Sequence, residues 1–334
     1  MKRSMPTTAN RPARLDIEQM RLITKVARLH YIHGERQAEI AEKMGVSQAS
    51  VSRFLTLAQE YEIVRTIVVP PEGLYPDLEE GLEEAYGLDS AYVVDISVHE
   101  EGVAQILGVA AARCLSSEFK GGPVLGVTSW STTLREMAKA MEPRSSTGIK
   151  KVVEMLGDLG SPLLQHEAAL ATLQIAKALD AEAVFLRTPG VMPNPELLKV
   201  ALGDVHIQTA LRLLGEVDIA FVGVGPADFH GPLEEGDNFF SAEQLAAVRA
   251  AGAVGQLHQR FINAQGLPVD TELDKLVVSI TLEQLRHVRR KIAVAGGAAK
   301  HTALAAALAG KWIDVLVTDV NTANFLMKHA LRGT

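Results

Sequence analysis

The sequence predicts an α/β protein, with a small helical unit at the N-terminus and a larger domain built on a mostly parallel sheet. Three observations support this prediction. Residues 1–69 are basic, with 11 Lys and Arg against 7 Asp and Glu, whereas the rest of the chain is acidic. Helical periodicity dominates residues 16–61. From residue 75 onward, apolar runs alternate with amphipathic stretches, which is typical of buried parallel strands joined by crossover helices.

The composition excludes several classes of protein. With 334 residues, of which 47% are apolar and 22% charged, the chain has the material for about two packed domains. The single cysteine, Cys114, can form neither an intramolecular disulfide nor a cysteine-based zinc site, and it fits a reducing compartment. No apolar run reaches the roughly 18 residues of a membrane-spanning helix, and residues 1–14 lack the apolar core of a signal peptide. We therefore expect a cytoplasmic protein without a membrane partner.

The basic N-terminal segment carries a motif for DNA binding. Helices are predicted over residues 16–33, 36–44 and 48–61. Gly34 and Gly45 end the first two, and Ser47 is placed to cap the third. The last two helices show the spacing of a helix-turn-helix, whose positions are Ile40, Ala41, Met44, Gly45, Val46, Val51 and Phe54. The alternative is a helical hairpin used only for packing.

In a helix-turn-helix, the second helix of the motif lies in the major groove. Here Gln48 can pair with adenine, Ala49 can meet a thymine methyl group, and Arg53 can bind guanine or a phosphate. Ser50 and Ser52 lie on the same helix, where a solvated face explains them equally well. Three further residues are better placed for phosphate contacts, which fix register without reading sequence: Arg36, Gln37 and Ser47.

Two features flank this motif. The basic segment 1–15 is either a flexible arm on DNA or an untethered tail. Residues 63–69 are rich in β-branched side chains and predict a short strand, like the wing of a winged helix. Two prolines follow and end it. These features divide the chain into an arm, a DNA-binding domain over 16–69 and a second domain over 70–334.

The second domain is predicted to alternate strands and helices. The strands are 91–96, 124–127, 151–156, 183–186, 218–222, 291–295 and 313–317. The helices are 75–86, 101–118, 132–141, 166–179, 205–214, 242–251, 300–309 and 320–330. Short strands at 256–262 and 275–279 predict a hairpin or a small added sheet. Because open α/β sheets bind ligands beyond the carboxyl ends of their strands, a site is expected in the strand-to-helix turns.

Two of these turns favour an anionic or polyhydroxylated ligand. The turn after strand 124–127 carries the hydroxyl residues Thr128, Ser129, Ser131, Thr132 and Thr133. They stand where a helix begins, and free N–H groups there attract phosphate, although simple capping is the alternative. The second turn contains Gly296 and Gly297, then Lys300 in the first turn of a helix. The helix dipole disfavours a lysine there, so an anionic ligand would explain it better than a surface position.

The other two turns are less specific. Gly157 and Asp158 precede His166 and Glu167, whose polar groups could bind sugar hydroxyls or serve as ordinary caps and turns. Adjacent residues on a helix point to different sides, so His166 and Glu167 do not predict a metal. Residues 223–226 hold only two glycines of the dinucleotide fingerprint, so NAD is not expected. We expect no cofactor.

Together these motifs resemble the SorC/DeoR-type sugar-binding transcriptional regulators. Beside the helix-turn-helix, the resemblance rests on the strings YPDLEEGLEEAYGLDSAYVVD, GVTSWSTTL, RAAGAVGQ, VAGGAAKHTALAAALAGKWIDVLVTD and NTANFL. It implies an effector domain of the NagB/RpiA and CoA-transferase type. It also implies a homo-oligomer, a dimer or tetramer, which binds operator DNA under the control of a sugar phosphate or polyol.

The resemblance assigns roles to individual residues. The hydroxyls of Thr128, Ser129, Ser131 and Thr132 would hold phosphate or sugar, and Lys300 would bind the anionic end of the ligand. The remaining ligand positions that it implies are Glu167, Asp237, Asn238 and Gln256. The strings TSWSTTL and GDNFFS look most like a polyol-linked branch, such as regulators of erythritol catabolism.

The alternative function is that of a sugar-phosphate isomerase, because the fold would be shared. Isomerisation needs a positioned acid and base with tuned pKa values. Asp158, Glu167 and Lys300 are candidates, but their spacing makes no convincing set, and a helix-turn-helix has no role in such an enzyme. The sequence therefore predicts a regulator without catalytic residues.

Overall fold

A computed structural model describes residues 15–65, 71, 73–96, 102–114, 122–143, 147–228 and 238–331. The chain divides into two compact units, Met1–Val69 and Pro70–Thr334. Residues 1–14 of the predicted arm, most of the predicted wing strand and the candidate ligand residue Asp237 lie outside the described residues.

The described part of the first unit contains three helices: α1 (Ile17–Tyr31), α2 (Gln37–Met44) and α3 (Gln48–Glu60). The Asp16 carboxylate caps α1 by accepting a hydrogen bond from Gln19 N at 2.7 Å. The Ser47 hydroxyl caps α3 by accepting one from Ser50 N at 3.1 Å. Gly45 ends α2 with φ at 66°, a conformation that a side chain disfavours. The predicted helices, the Ser47 cap and the Gly45 turn are confirmed.

The core of this unit lies between α1, α2 and α3. Ile40 and Val51 are completely buried, and Ala41 is buried beside them. Met44, Val46 and Phe54 pack against this cluster, so the predicted contact between the second and third helices is confirmed. The described start of the predicted wing is not a strand. Its residues Ile63 and Val64 instead pack against α1 and α3.

The second unit is built on a seven-stranded sheet and a smaller three-stranded sheet. The strands of the described chain are β1 (Ser90–Val94), β2 (Val124–Val127), β3 (Lys151–Glu154), β4 (Glu182–Val184), β5 (Ile219–Phe221), β6 (Val224–Pro226), β7 (Ala253–Leu257), β8 (Arg260–Asn263), β9 (Arg290–Val294) and β10 (Val315–Asp319). The large sheet has the order β1-β10-β9-β5-β2-β3-β4 and is parallel throughout. The small sheet, β6-β7-β8, is antiparallel.

Helices cover both faces of the large sheet. The helices in the described part of this unit are α4 (Pro76–Tyr86), α5 (Val103–Cys114), α6 (Thr132–Ala140), α7 (Pro162–Ala178), α8 (Pro195–Ala201), α9 (Val205–Leu214), α10 (Ala242–Ala250), α11 (Leu282–His287), α12 (His301–Ala309) and α13 (Val320–Ala330), of which α10 packs on the small sheet. Successive strand residues alternate between two apolar clusters. In β9, Ile292 and Val294 join the cluster of α5, α6 and α7, while Ala293 joins that of α4, α9, α12 and α13. The predicted parallel sheet, covered on both faces, is confirmed.

Several elements differ from the prediction. The predicted strand 275–279 is wrong, because Glu272–Leu276 forms a 3₁₀-helix and the following residues make only isolated bridges. The helix α7 begins at Pro162, four residues before the predicted start, because proline fits the first helical turn and Ser161 caps it. The elements α8, α11 and β6 were not predicted. None of the helices in the described part of the chain has the length and apolar character needed to cross a membrane.

The strand order reverses beside β2. From β2 the chain runs outward to β3 and β4, and it returns to β5 on the other side of β2. A crevice at such a switch point, beyond the carboxyl ends of the strands, is where open α/β sheets bind ligands.

Candidate functional site

A cavity of about 520 Å³ lies at this switch point. Four strand ends of the large sheet contribute to its wall: the turn after β2, Leu156 and Leu159 in the turn after β3, the residues after β5, and the Gly296–Lys300 turn after β9. The small sheet closes another side through β6 and the turn between β7 and β8. Of the residues predicted to bind a ligand, those that line the cavity are Thr128, Ser131, Thr132, Gln256 and Lys300.

The turn after β2 presents a helix N-terminus to the cavity. Ser131 caps α6, since its hydroxyl accepts a hydrogen bond from Leu134 N at 3.4 Å. Ser131 and Thr132 both line the cavity. The first N–H groups of a helix have no partner inside that helix, so this end of α6 can bind an anion.

The Thr128 hydroxyl is bound within the fold, and the Ser129 hydroxyl, which has no hydrogen-bond partner in the described chain, lies outside the cavity lining. The Thr128 hydroxyl donates to Phe221 O at 2.8 Å, and it also lies 3.0 Å from His258 Nδ1. Ser129 is 1% exposed and is absent from the cavity lining in the described chain. Gly223 makes room for Thr128, because a Cβ there would lie 2.7 Å from Thr128 Cγ2.

Lys300 is the central charged group of the cavity. It follows Gly297, whose φ of 88° turns the chain between β9 and α12. Gly297 N donates to Asp319 Oδ2 at 2.8 Å and to Thr322 Oγ1 at 3.0 Å, which fixes this turn to the end of β10. Lys300 is half-buried, and within the described chain it forms no ion pair. Its burial lowers the pKa of the ammonium group.

Arg135 is a second cation, which the sequence analysis missed. It lies one turn into α6 and lines the cavity, and its side chain is 15% exposed. Its Nη1 is buried without a hydrogen-bond partner in the described chain. Burial lowers the pKa of Arg135, and the negative charges of Glu167 and Glu136 partly offset this decrease. The sequence offered one signal for Arg135: it lies in the first turns of the predicted helix that follows the hydroxyl-rich turn.

Glu167 does not line the cavity in the described structure. Its carboxylate is half-exposed and lies 3.8 Å from Arg135 Nη2, so it can reach a ligand only through Arg135. Gln256 does line the cavity, and its Oε1 accepts a hydrogen bond from Gln259 N at 2.8 Å.

Gly157, Asp158 and Asn238 make contacts within the fold and do not face the cavity. Asp158 Oδ1 lies 3.1 Å from Arg187 Nη1. The Asn238 amide donates to Asp158 O at 3.1 Å, and a Cβ at Gly157 would meet Thr188 O at 2.5 Å. None of the three is part of the cavity lining in the described chain. These contacts favour the turn-and-cap interpretation of this segment.

The hairpin turn between β7 and β8 was also missed. His258 and Gln259 form this turn with φ of 52° and 66°, and both line the cavity. Turns with two positive φ values usually carry glycine or asparagine, so this pair gave no turn signal. His258 is buried and has no hydrogen-bond partner at Nε2.

The predicted DNA-contacting residues cluster around the start of α3. Those that are exposed are Arg36, Ser47, Gln48, Ala49, Ser52 and Arg53. Gln37 and Ser50 are half-buried, and the Ser50 hydroxyl lies 2.9 Å from that of Ser47. The exposed side chains are therefore accessible to a partner.

Comparison with known proteins identifies the family of this chain. Residues 73–328 match the family model described as "Putative sugar-binding domain". The chain belongs to this family. It is 30% identical to the deoxyribonucleoside regulator of Bacillus subtilis over 94% of this chain and 99% of that protein. It is 25% identical to the erythritol catabolism regulatory protein EryD of Brucella abortus, over 92% and 96% of the two chains.

The fold agrees with the same group of proteins. The full-length sorbitol operon regulator SorC of Klebsiella pneumoniae has a TM-score of 0.69 at 26% identity, over 93% of this chain and 99% of that one. The mostly parallel α/β sheet matches SorC, and the predicted resemblance to this family is confirmed. The chain is a transcriptional regulator rather than an enzyme, as the sequence predicted.

Proposed function

We propose that this protein binds operator DNA of a carbohydrate or polyol catabolic operon and that a phosphorylated sugar or polyol in the cavity controls that binding. The observation that carries the proposal is Lys300, a half-buried cation in the cavity that has no ion pair within the described chain. A buried charge without a partner is costly, and an anionic ligand relieves this cost. The unpartnered Nη1 of Arg135 and the N-terminus of α6 favour the same ligand chemistry.

The names of the relatives indicate which carbon skeletons to test. They regulate genes for sorbitol, erythritol and deoxyribonucleosides. The small polyols and pentoses among these compounds, as phosphates, are of a size that suits a cavity of about 520 Å³.

The first unit would supply DNA recognition as a winged helix-turn-helix formed by α2 and α3. Gln48, Ala49 and Arg53 would contact bases, and Ser50 and Ser52 lie beside them. The phosphate contacts would come from Arg36, Gln37 and Ser47. The arm at 1–15, the domain boundary at 69–70 and a NagB/RpiA-like ancestry of the second domain belong to the same proposal.

Control would operate through a shift in populations. An effector that binds one state of the regulator more tightly favours that state and changes its affinity for the operator. A homo-oligomer, a dimer or tetramer, would present paired α3 helices to half-sites about 34 Å apart or a multiple of that distance. A protein that binds operator DNA would act in the cytoplasm, which belongs to the same proposal.

Calorimetric titration of the full-length protein tests this proposal. The probes are erythritol phosphate, sorbitol phosphate and deoxyribose phosphate, each beside its unphosphorylated parent. We expect only phosphates to bind, and Lys300→Met to abolish that binding. Lys199→Met, which changes an exposed lysine outside the cavity, is the matched control. Binding of the unphosphorylated polyols alone would contradict the assignment of an anion site.

The DNA-binding part of the proposal has its own test. Arg53→Ala should abolish specific operator binding while phosphate binding stays intact, because Arg53 is exposed on α3. Specific affinity should also fall steeply as salt concentration rises, since phosphate contacts release counterions. Operator affinity that is unchanged in Arg53→Ala would remove α3 from the interface.

A further inference from the structure

The hairpin turn at His258 combines two unfavourable features beside the cavity. His258 and Gln259 both have positive φ, at 52° and 66°. This conformation is energetically unfavourable for any residue that has a side chain, whereas glycine adopts it freely. The His258 ring is also 2% exposed, and its Nε2 is buried without a hydrogen-bond partner. Strain and an unpaired polar atom at one position of a ligand cavity are typical of a residue kept for function.

The hydrogen bonds around Thr128 fix the tautomer of this ring. Thr128 has a single hydroxyl hydrogen, which it donates to Phe221 O at 2.8 Å. At its 3.0 Å contact with His258 Nδ1, the Thr128 oxygen must therefore accept. The proton of the imidazole lies on Nδ1, and Nε2 carries a lone pair.

The ring is neutral as well as fixed. Burial, and to a smaller extent the charge of Arg260, lowers the pKa of His258 to about 3. The Arg260 guanidinium donates hydrogen bonds to Ile280 O and Asp274 O, at 3.0 and 3.2 Å. At neutral pH, Nε2 is consequently a hydrogen-bond acceptor only.

We propose that His258 reads a hydroxyl group of the effector, with Nε2 accepting its hydrogen bond, while Lys300 binds the anionic end. This inference rests on the proposed function, since both residues line the same cavity. The phosphate dianion that dominates at neutral pH offers no hydrogen to an uncharged acceptor. The cavity therefore has a direction, with phosphate toward the turn after β9 and a hydroxyl-bearing carbon toward the β7–β8 hairpin.

The same geometry explains why a deoxygenated ligand would be rejected. A ligand without a hydroxyl at this point leaves Nε2 buried and unpaired, and sites built around a hydrogen bond discriminate strongly against such analogues. The Thr128 hydroxyl, which the sequence assigned to the ligand, then acts indirectly by orienting the imidazole.

Matched probes isolate this contact in the full-length protein. Erythritol phosphate is compared with n-butyl phosphate, and sorbitol phosphate with n-hexyl phosphate, so that each pair shares chain length and anionic group. The variants are His258→Gly, which accepts a positive φ without strain, and His258→Asn, which tolerates it. Lys300→Met is the control, and it should lose binding of both the polyol phosphate and the alkyl phosphate in each pair.

The expected result is a change in preference, not a general loss. Wild-type protein should bind the better polyol phosphate at least tenfold more tightly than its alkyl partner. In both His258 variants this ratio should fall about three- to tenfold, the effect of one uncharged hydrogen bond, while alkyl phosphate affinity changes less than twofold. A wild-type ratio near one, or a ratio unaffected by the His258 variants, overturns the inference and leaves the Lys300 site standing. If no phosphate of either kind binds wild-type protein, the proposed function fails instead.

Nitrogen NMR of histidine-labelled protein gives a second readout, which a merely structural role would not move. The His258 signals, assigned by their loss in His258→Asn, should show a proton on Nδ1 and a lone pair on Nε2 at neutral pH. Addition of erythritol phosphate or sorbitol phosphate should shift the Nε2 signal. A proton on Nε2, or a cationic ring, contradicts the inference.

Discussion

The turns after β2 and β3 look alike in sequence, yet their polar groups do different things. Each turn follows a buried strand and opens a helix capped by a serine, Ser131 for α6 and Ser161 for α7. The first turn lines the cavity with hydroxyl-bearing residues, whereas the second contributes only the apolar side chains of Leu156 and Leu159. The polar groups of the second turn are bound within the fold, because Asp158 N donates to Thr188 O at 2.7 Å and Gly157 N donates to Val278 O at 3.0 Å.

The difference comes from topology and not from residue type. The strand β2 adjoins β5, where the strand order reverses and a crevice opens. The strand β3 lies one position further out, beside β4, and the chain after β4 folds back over its carboxyl end. A polar turn is therefore a ligand site only when no neighbouring segment covers the carboxyl end of its strand.

The largest expected effect concerns the support of the turn after β9, which carries Lys300. Asp319 is fully buried and accepts hydrogen bonds from Gly297 N at 2.8 Å and from Thr322 Oγ1 at 2.6 Å. Asp319→Asn replaces one acceptor oxygen with a donor that faces these donors. Urea unfolding should show a loss of about 3 kcal/mol.

Erythritol phosphate binding should be lost in the same variant, because the turn that carries Lys300 is released. Asp270→Asn, an exposed carboxylate, is the control for both measurements. Normal phosphate binding by Asp319→Asn would show that the Gly297 turn does not depend on this support.

The second effect is a pH dependence of the free energy of unfolding, which arises from Glu154 at the end of β3. Burial raises the pKa of Glu154 to about 6, against hydrogen bonds from Leu186 N and Thr172 Oγ1 that lower it. Since the folded pKa lies above the unfolded value, Glu154 favours the folded state at low pH. This contribution, about 2 kcal/mol, is lost as the pH rises from 4.5 through 6.

Glu154→Gln removes this titration. The free energy of unfolding of the variant should fall less between pH 4.5 and pH 7 than that of wild-type protein, as urea titrations at several pH values would show. Phosphate binding at neutral pH should be the same in both proteins. An identical pH profile of stability would rule out the raised pKa.

The third effect compares the contributions of two arginines to phosphate binding. Arg135 lines the cavity, whereas Arg187 pairs with Asp158 beside the turn after β3 and is half-exposed. Arg135→Met should weaken erythritol phosphate binding about tenfold, because a charge-assisted hydrogen bond is lost. Arg187→Met should change it less than twofold in the same calorimetric titration. Equal losses in the two variants would break the comparison between the turns.

The sequence predicted most elements of the large sheet because their signals are local. Strand β2 and helices α9 and α13 have the predicted bounds, since each is a continuous apolar or amphipathic run. Lys300 was also identified locally, from a lysine at a helix start. Arg135 and His258 were missed because their role comes from neighbours distant in sequence. The turn at His258 and Gln259 lacks the glycine or asparagine that marks such hairpins, so only the fold shows it.

The smallest expected effect gives the comparison its sharpest test. Asp158→Asn removes a carboxylate from the turn after β3, whose pKa burial raises and Arg187 lowers. Its partner Arg187 is half-exposed, so water screens the pair and the free energy of unfolding should change by less than about 1 kcal/mol. Erythritol phosphate affinity should change less than twofold, because Asp158 stands outside the described cavity lining. A tenfold loss of affinity would show that a polar side chain of this turn also reaches the ligand, and coverage by the chain after β4 would no longer separate the two turns.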